Sequence, residues 1–519
     1  MVRRCILRPG FHACAVPSSS DHDDFDRGSF AADSLATGFL VMLAMTVVQR
    51  SFGFFRGIWF CRLLEDASVG QWAMAFGFIT MISPIMLLGM PGSLPRYVEH
   101  YRVRGHLRAF VRRLGISTAV CAVLFSVAVA ARPAWFGWLI FLQPDNLDLV
   151  RAVGIAVIAI IAFYFVGELV SALRQVRVVS LMQFTQSVTF TFLGIGWLVS
   201  GGGIVGLVLV FALATLLAIA PGMRTLVRGW KGLPQSEDPF DASVMWRRIV
   251  PYASAIWAMD VLANLFEMSD RYMILHLSPG GDLAGQAAVG QYHSGRMIPV
   301  LLISLASMLS GVLLPYLSAD WEAGRQTQIP RRLRWILTAV SASFTLGAAL
   351  ALLAAPTMFE TLLENRYQAG LTVLPMAFTF CIWSALVTIA QNYLWVVERG
   401  HWVAAALGVG LIANLGFNAA LLPVWGLQGA VVATLASHGI VLVGIWFALR
   451  RWGYDLDRTT LYASLWPAAL LAGPWVAIAC VLATLTVSGE LRSIFAEAGI
   501  AQWCNRWAGR WRQQPDPSG

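Results

Sequence analysis

Charged residues are scarce in this sequence: Asp, Glu, Lys and Arg together make up 13% of its 519 residues, against about 25% in an average soluble chain. The seven cysteines include no CxxC pair, so the sequence encodes neither a zinc site nor a disulfide framework. A Walker A loop, an HExxH pair and a GxSxG elbow are also missing. These absences exclude the common motifs of ATPases, metalloproteases and serine hydrolases.

Long apolar blocks are what the sequence has in abundance. Hydrophobic residues make up 58% of the chain, and the mean hydropathy is +0.67. The blocks are roughly 18 to 25 residues long, which matches a helix crossing a hydrocarbon core of about 30 Å. Because lipid offers the backbone no hydrogen-bond partners, continuous blocks indicate helices rather than the alternating strands of a barrel. The sequence therefore predicts an all-α, polytopic membrane protein.

We predict thirteen apolar segments, and therefore 12 to 14 transmembrane helices, because the C-terminal end is ambiguous. The segments are 34–56, 70–90, 113–131, 150–172, 178–199, 203–221, 249–277, 290–318, 333–355, 370–396, 402–422, 426–449 and 461–487. If the last one crosses the bilayer, it exports a tail that carries Arg492, Arg506, Arg510 and Arg512. Either this segment is re-entrant, or a weak fourteenth element lies at about 491–511.

Arginines are concentrated in every second loop. They cluster around 96–113, 224–248 and 325–334, whereas the intervening loops hold few. Since short loops rich in Lys and Arg stay in the cytoplasm, the N-terminus is predicted to be cytoplasmic. Residues 1–33 contain no apolar stretch that could serve as a signal peptide, and they indicate either a disordered tail or a start codon placed too early.

The net charge of +9 raises the question of nucleic-acid binding. The basic residues are dispersed over short loops, and no basic-aromatic module accompanies them. The sequence therefore predicts no nucleic-acid partner.

The chain resembles itself at an offset of about 220 residues. Gly70-Gln71-Trp72 matches Gly290-Gln291-Tyr292. A repeat of six helices is even, so both copies insert in the same orientation, related by an axis along the membrane normal. The predicted parts are a disordered tail (1–33), a first six-helix lobe (34–223), a cytoplasmic linker (224–248), a second six-helix lobe (249–451) and an extra C-terminal helix with a tail (452–519). Such a pair of lobes is typical of transporters, although a duplicated scaffold without transport has the same pattern.

Arginines inside apolar segments are candidates for substrate binding. A charge at a helix centre costs at least roughly 2.5 to 3.5 kcal/mol, so it must face protein or a water-filled cavity. Arg50, Arg56, Arg271 and Arg296 meet this description, and Arg56 has the alternative of snorkelling to the outer surface. Arg50 corresponds to Asp270 at the repeat offset, so the two could pair across the cleft, with an ion pair inside one lobe as the alternative.

Carboxylates inside the same segments are candidates for carrying a coupling ion. A polar stripe occupies one face of the seventh segment at i, i+4, i+7 and i+11: Asp260, Asn264, Glu267 and Arg271. Asp270 lies beside it, and Glu168 is in the fourth segment. These carboxylates bind a proton or sodium ion, or else act as counter-ions to the arginines. Asn414 and Asn418, four residues apart, indicate hydrogen bonding between helices.

Five stretches of the sequence carry a family resemblance. They are Ser51-Phe-Gly-Phe-Phe-Arg-Gly-Ile-Trp-Phe-Cys-Arg-Leu-Leu with Gly70-Gln-Trp-Ala, Gly89-Met-Pro-Gly-Ser-Leu-Pro-Arg-Tyr, Ser269-Asp-Arg-Tyr-Met-Ile-Leu, and Ala288-Val-Gly-Gln-Tyr. The chain from about 34 to 450 resembles the polysaccharide flippases of the multidrug/oligosaccharidyl-lipid/polysaccharide exporter superfamily. Arg50 and Arg56 are similar to the first-helix arginines of that superfamily, and Arg296 to a cavity arginine of the second lobe.

The resemblance implies a V-shaped pair of lobes around a cationic cavity in the bacterial cytoplasmic membrane. It implies export of an undecaprenyl-diphosphate-linked sugar repeat for O-antigen, lipopolysaccharide, capsule or exopolysaccharide, coupled to a proton or sodium gradient and with no other cofactor. The implied partners are membrane lipid, the polyprenyl-diphosphate-linked glycan, and polysaccharide polymerase with its chain-length machinery.

Two other functions compete with the flippase. A multidrug exporter of the same fold needs a dominantly acidic cavity for cationic drugs, whereas the arginines here are more than a cationic drug should tolerate. A membrane-embedded polymerase, ligase or glycosyltransferase needs a sizeable loop outside the membrane, and the longest predicted one covers only about 132–150. The sequence therefore favours a non-enzymatic transporter.

Overall fold

The computed structural model describes residues 35–487 except Arg174, 231–239, 279–281, 323 and 364–366. All regular secondary structure within these residues is helical, which confirms the all-α class. The predicted tail at 1–33, the middle of the predicted linker and the proposed element at 491–511 lie outside the described residues.

Nine helices make up the N-terminal half. They are α1 (Leu35–Leu63), α2 (Asp66–Leu87), α3 (Met90–Val103), α4 (Leu107–Ala131), α5 (Pro133–Phe141), α6 (Leu147–Ala172), α7 (Val176–Val199), α8 (Ile204–Ala218) and α9 (Ala220–Trp230). The main contacts in this group are those of α1 with α7, α6 with α8, α7 with α8 and α2 with α6. The first group is held together by contacts among its own helices.

The C-terminal half contains eight further α-helices and one 3₁₀ helix. They are α10 (Ala242–Leu277), α11 (Asp282–Arg296), α12 (Pro299–Glu322), α13 (Gln328–Leu363), α14 (Gln368–Val396), α15 (His401–Arg451), α16 (Arg458–Leu465), the 3₁₀ helix Trp466–Ala472 and α17 (Pro474–Val487). Here α12 packs on α14, α10 on α15, and α14 on α15. The two groups meet where α2 contacts α11 and α10, an arrangement consistent with the two predicted lobes.

Local sequence explains where several helices begin and end. Leu88 and Gly89 have positive φ values of 52° and 66°, which stops α2 and turns the chain into α3. Asp241 caps α10 by accepting hydrogen bonds from the backbone N–H groups of Ser243 (2.8 Å) and Val244 (3.4 Å). These bonds and that from the Ser243 hydroxyl lower the pKa of the Asp241 carboxyl.

Among the predicted segments, those at 290–318 and 461–487 differ most from the observed helices. The segment predicted at 290–318 is two helices, because Pro299 lacks the N–H that would continue α11 and it starts α12 instead. The segments at 402–422 and 426–449 agree with the two parts of α15, which a kink at the non-helical Gly426 (φ 53°, ψ −135°) separates. The segment at 461–487 is broken into α16, the 3₁₀ helix and α17, with Gly473 and Pro474 at the last break.

The surface of these helices is suited to lipid. Within the described residues, nine helices are long and apolar enough to cross a membrane. On α4 the apolar side chains of Val123, Leu124 and Val127 are 59%, 63% and 58% exposed. A surface of this kind is stable in hydrocarbon and aggregates in water. The chain is therefore a multi-pass membrane protein.

Candidate functional site

A cavity of about 680 Å³ lies between the two groups of helices. Its volume is within the range of roughly 300–1,000 Å³ that is typical of ligand pockets. One wall, from α1, α2, α7 and α8, is rich in aromatic side chains: Phe54, Phe60, Trp72, Phe76, Phe190 and Phe211. The other wall, from α10, α11, α12 and α15, carries most of the charged and polar groups: Glu267, Asp270, Arg271, His293, Arg296, Ser304, Ser307, Thr434 and His438.

Arg56 reaches this cavity from α1 and is held by α7. Its Nη1 donates to the backbone oxygen of Ser187 (3.4 Å) and to the hydroxyl of Thr191 (3.3 Å). The guanidinium carbon lies 4.6 Å from the centre of the Phe190 ring, within cation–π range. The side chain is thus turned toward α7 rather than the outer surface, and Arg50, on the same helix, also lines the cavity.

Arg271 enters the cavity from α10 on the opposite side. Its Nη2 lies 3.8 Å from an oxygen of Glu267, one turn earlier on the helix. Glu267 is 58% exposed, so solvent screens this ion pair and the attraction is weak. The Nε of Arg271 is buried and has no hydrogen-bond partner among the described residues.

Arg296 is the most buried of the four arginines. The residue is only 9% exposed, and its guanidinium lies 5.1 Å and 5.5 Å from the ring centres of Tyr292 and Phe380. Both Nε and Nη1 are buried without a hydrogen-bond partner in the described part of the chain. A buried donor without a partner is costly, and a charged one more so. The arrangement is suited to an anion that enters the cavity and accepts these hydrogen bonds.

Asp270 lines the cavity, and its carboxylate is held in a closed network of hydrogen bonds. One carboxylate oxygen accepts from the side-chain amides of Asn414 (2.9 Å) and Asn418 (3.0 Å). The other accepts from the hydroxyls of Tyr292 and Thr434, both at 2.7 Å. The hydrogen bonding predicted for the two asparagines is therefore confirmed, and these partners of Asp270 all belong to the C-terminal group rather than to Arg50.

The structure brings together six of the eight predicted site residues. Those that line the cavity are Arg50, Arg56, Glu267, Asp270, Arg271 and Arg296. Glu168 on α6 and Asp260 on α10 are not part of the lining, although each is within electrostatic range of the other.

Sequence reasoning missed several polar residues around these groups. Ser187 and Thr191 hold Arg56, and Thr434 and His438 line the cavity. The available signal was spacing, since both pairs lie four residues apart and occupy one helix face. Spacing of this kind does not reveal which other helix a face contacts.

A family model described as "Polysaccharide biosynthesis protein" matches residues 35–321, which is more than half of the chain. No curated protein sequence matches the chain at a significant level. The match covers α1 to α12, and so includes all four arginines and all four carboxylates discussed above.

Solved structures show the same fold at low sequence identity. The lipid II flippase MurJ, in an inward closed conformation, superposes with a TM-score of 0.66 at 11% identity, covering 89% of this chain and 100% of its own. A multidrug resistance MATE family transporter of the MOP superfamily, inward-facing, gives 0.59 at 13% identity, covering 80% and 98%. A MOP superfamily transporter from Pyrococcus furiosus gives 0.57 at 13%, covering 80% and 94%. With the family match over its first twelve helices, this chain belongs to the polysaccharide biosynthesis protein family and has the MOP transporter fold.

Proposed function

We propose that this protein moves a polyprenyl-diphosphate-linked oligosaccharide across the bacterial cytoplasmic membrane by alternating access, with its N-terminus in the cytoplasm. The observation that carries the proposal is Arg296, a buried guanidinium on the cavity wall with two donors that lack partners among the described residues. A lipid diphosphate brings the acceptor oxygens that these donors need. Its apolar tail stays in the bilayer while the headgroup crosses.

The charge balance of the cavity supports an anionic cargo. Four arginines and two carboxylates line it. Asp270 is 2% exposed, with both oxygens already accepting hydrogen bonds, and Glu267 lies beside Arg271. Arg50, Arg56 and Arg296 thus remain available to a ligand, and guanidinium groups bind phosphate oxygens in paired, charge-assisted hydrogen bonds. A cationic drug would be repelled by the same groups.

The energy for uphill transport must come from elsewhere, because the sequence has no Walker A loop. We assign coupling to Asp270, whose surroundings fit a proton or a sodium ion. Asn418 Oδ1 is buried without a partner among the described residues, and turning this amide by 180° presents that oxygen beside the carboxylate. Carboxylate, amide and hydroxyl oxygens are the donors that hard cations prefer. The bound ion would supply positive charge that replaces the hydrogen bonds to the carboxylate.

The proposal can be tested with the full-length protein in liposomes and a fluorescent polyprenyl-diphosphate disaccharide. We expect Arg56→Ala to slow flipping by about tenfold or more, because each hydrogen bond to a charged group contributes about 1.5–3 kcal/mol. Flipping is measured as loss of fluorescence on adding a membrane-impermeant quencher. Arg151→Ala is the matched control, since Arg151 is an exposed arginine paired with Asp148 at 3.0 Å and is not part of the cavity lining.

Two results would contradict the flippase assignment. One is that Arg56→Ala flips the diphosphate lipid as fast as the unchanged protein and Arg151→Ala do. The other is ion-driven transport of a lipophilic cation by the unchanged protein with no flipping of the diphosphate lipid, which would identify a drug exporter.

A further inference from the structure

The two groups of helices approach most closely where α2 crosses α11. A Cβ placed on Gly70 would lie 1.8 Å from the backbone oxygen of Gln286. A Cβ on Gly290 would lie 2.4 Å from the backbone oxygen of Asp66. Both distances are far below van der Waals contact, and the obstacle in each case is backbone. The crossing therefore requires glycine at both positions.

Side-chain hydrogen bonds flank the two glycines. Gln71 Nε2 donates to Gln286 Oε1 at 3.0 Å, and Gln291 Nε2 donates to Asp66 Oδ2 at 2.8 Å. Gln286 Nε2 also donates to the backbone oxygen of Phe141 at 3.0 Å, which ties in the end of α5. We call Asp66, Gly70, Gln71, Gln286, Gly290 and Gln291 the glycine–glutamine seam.

The seam is self-complementary under the internal repeat. Asp66 and Gln286, Gly70 and Gly290, and Gln71 and Gln291 are each separated by 220 positions. Gln71 contacts Gln286, and Gln291 contacts Asp66. Adding 220 to the first position of one contact and subtracting 220 from the second position gives the other contact, so the two halves exchange roles. This is the pattern of a two-fold interface, in which one patch contacts its own copy. Here it forms between the two halves of a single chain.

The position of the seam gives it a consequence for the cavity. It lies at the start of α2 and on α11, at the end of the cavity next to the α1–α2 and α10–α11 connections. The arginine pattern predicts that these connections lie outside the cytoplasm. Arg296 follows Gly290 on the same helix by six residues, or about 9 Å. Any movement that separates the seam therefore displaces Arg296 from the opposite wall.

We propose that the glycine–glutamine seam is the gate that closes the outer end of the cavity and must separate before the cargo leaves. This proposal depends on the proposed function in one respect, which is that the cargo leaves the cavity on this side. Most of its hydrogen bonds join neutral amides, which form and break at small net cost because water replaces them. The close glycine contact keeps the seam dry when it is shut.

The test uses cavity accessibility rather than transport. Ser304 lines the cavity, and in Ser304→Cys a membrane-impermeant maleimide added outside intact cells reports an open outer gate. We expect Gly70→Ala and Gly290→Ala each to raise the labelling rate by roughly ten- to a hundredfold, because a minor open state of roughly 1–10% becomes the dominant one. The native cysteines are controlled by subtracting the labelling of the protein that keeps Ser304.

Two glycines outside the seam serve as matched controls. A Cβ placed on Gly196 would meet no described atom within 4 Å, and a Cβ on Gly429 would meet the backbone oxygen of Leu421, within α15, at 2.4 Å. Gly196→Ala and Gly429→Ala should leave outside labelling unchanged. Gln71→Ala with Gln286→Ala should raise labelling even if the glycine variants fail to fold. Unchanged labelling in the folded seam variants would overturn the proposal that the seam is a gate. A wrong flippase assignment would instead be detected in the transport assay and would leave the labelling result unaffected.

Discussion

Replacement of Arg296 by alanine is expected to abolish transport, and replacement by lysine to retain part of it. Arg296 presents two buried donors without partners in the described structure, on the wall of a cavity that holds three other arginines. If a diphosphate accepts both, their loss removes at least about 3 kcal/mol, or more than about a hundredfold in rate. Lysine keeps the positive charge and loses the planar fork that binds two phosphate oxygens together.

A stability measurement separates this functional loss from misfolding. Because Arg296 has no ion pair among the described residues, removing its charge removes an uncompensated buried cation. The thermal midpoint of Arg296→Met should therefore equal or exceed that of the unchanged protein while flipping of the diphosphate lipid is lost. Full flipping by the alanine variant would defeat the assignment of Arg296. A large fall in the midpoint would mean that the guanidinium is structural.

Replacement of Asp270 by alanine is expected to have the largest effect on stability. The change leaves the buried Tyr292 hydroxyl and the buried Asn414 amide without their acceptor. Asn418 and Thr434 keep second acceptors, Asn414 Oδ1 at 3.1 Å and the Ala430 backbone oxygen at 2.9 Å. Each unsatisfied group costs about 1–3 kcal/mol, so the two together should lower the free energy of unfolding by at least about 2 kcal/mol. Asp270→Asn keeps the shape and should lose less stability, but it removes the charge that a coupling ion needs.

Ion dependence distinguishes a coupling role for Asp270 from a purely structural one. An ion that binds only the folded state raises the thermal midpoint with its concentration. If sodium is the coupling ion, the unchanged protein should be more stable in sodium than in choline chloride, and Asp270→Asn should lose this difference. Glu267→Gln, an exposed carboxylate on the same helix, should keep it.

Transport under imposed gradients identifies the ion itself. Collapse of the sodium gradient alone or of the proton gradient alone, in liposomes that hold the unchanged protein, should stop uphill export in one case only. Export that persists when both are collapsed would rule out ion coupling at Asp270.

Much of the site was predictable from local properties of the sequence. The cost of a charge in lipid depends on the residue and its depth, so Arg50, Arg56, Arg271 and Arg296 could be selected from the sequence alone, and all four line one cavity. Glu168 and Asp260 met the same criterion and lie outside the lining. The criterion finds buried charges, but it does not say which cavity they face.

The sequence by itself determined the all-helical membrane fold, since the length and apolar character of a segment decide whether it spans a bilayer. Its repeat also marked four of the six seam positions, namely Gly70, Gln71, Gly290 and Gln291. Only the tertiary structure decided that Asp270 is held by α11 and α15, that Arg296 has donors without partners among the described residues, and that Gly70 rests on Gln286. The contacts of Asp270 and Gly70 join residues 22 to 216 positions apart, and their distances depend on how whole helices pack, which no local pattern encodes.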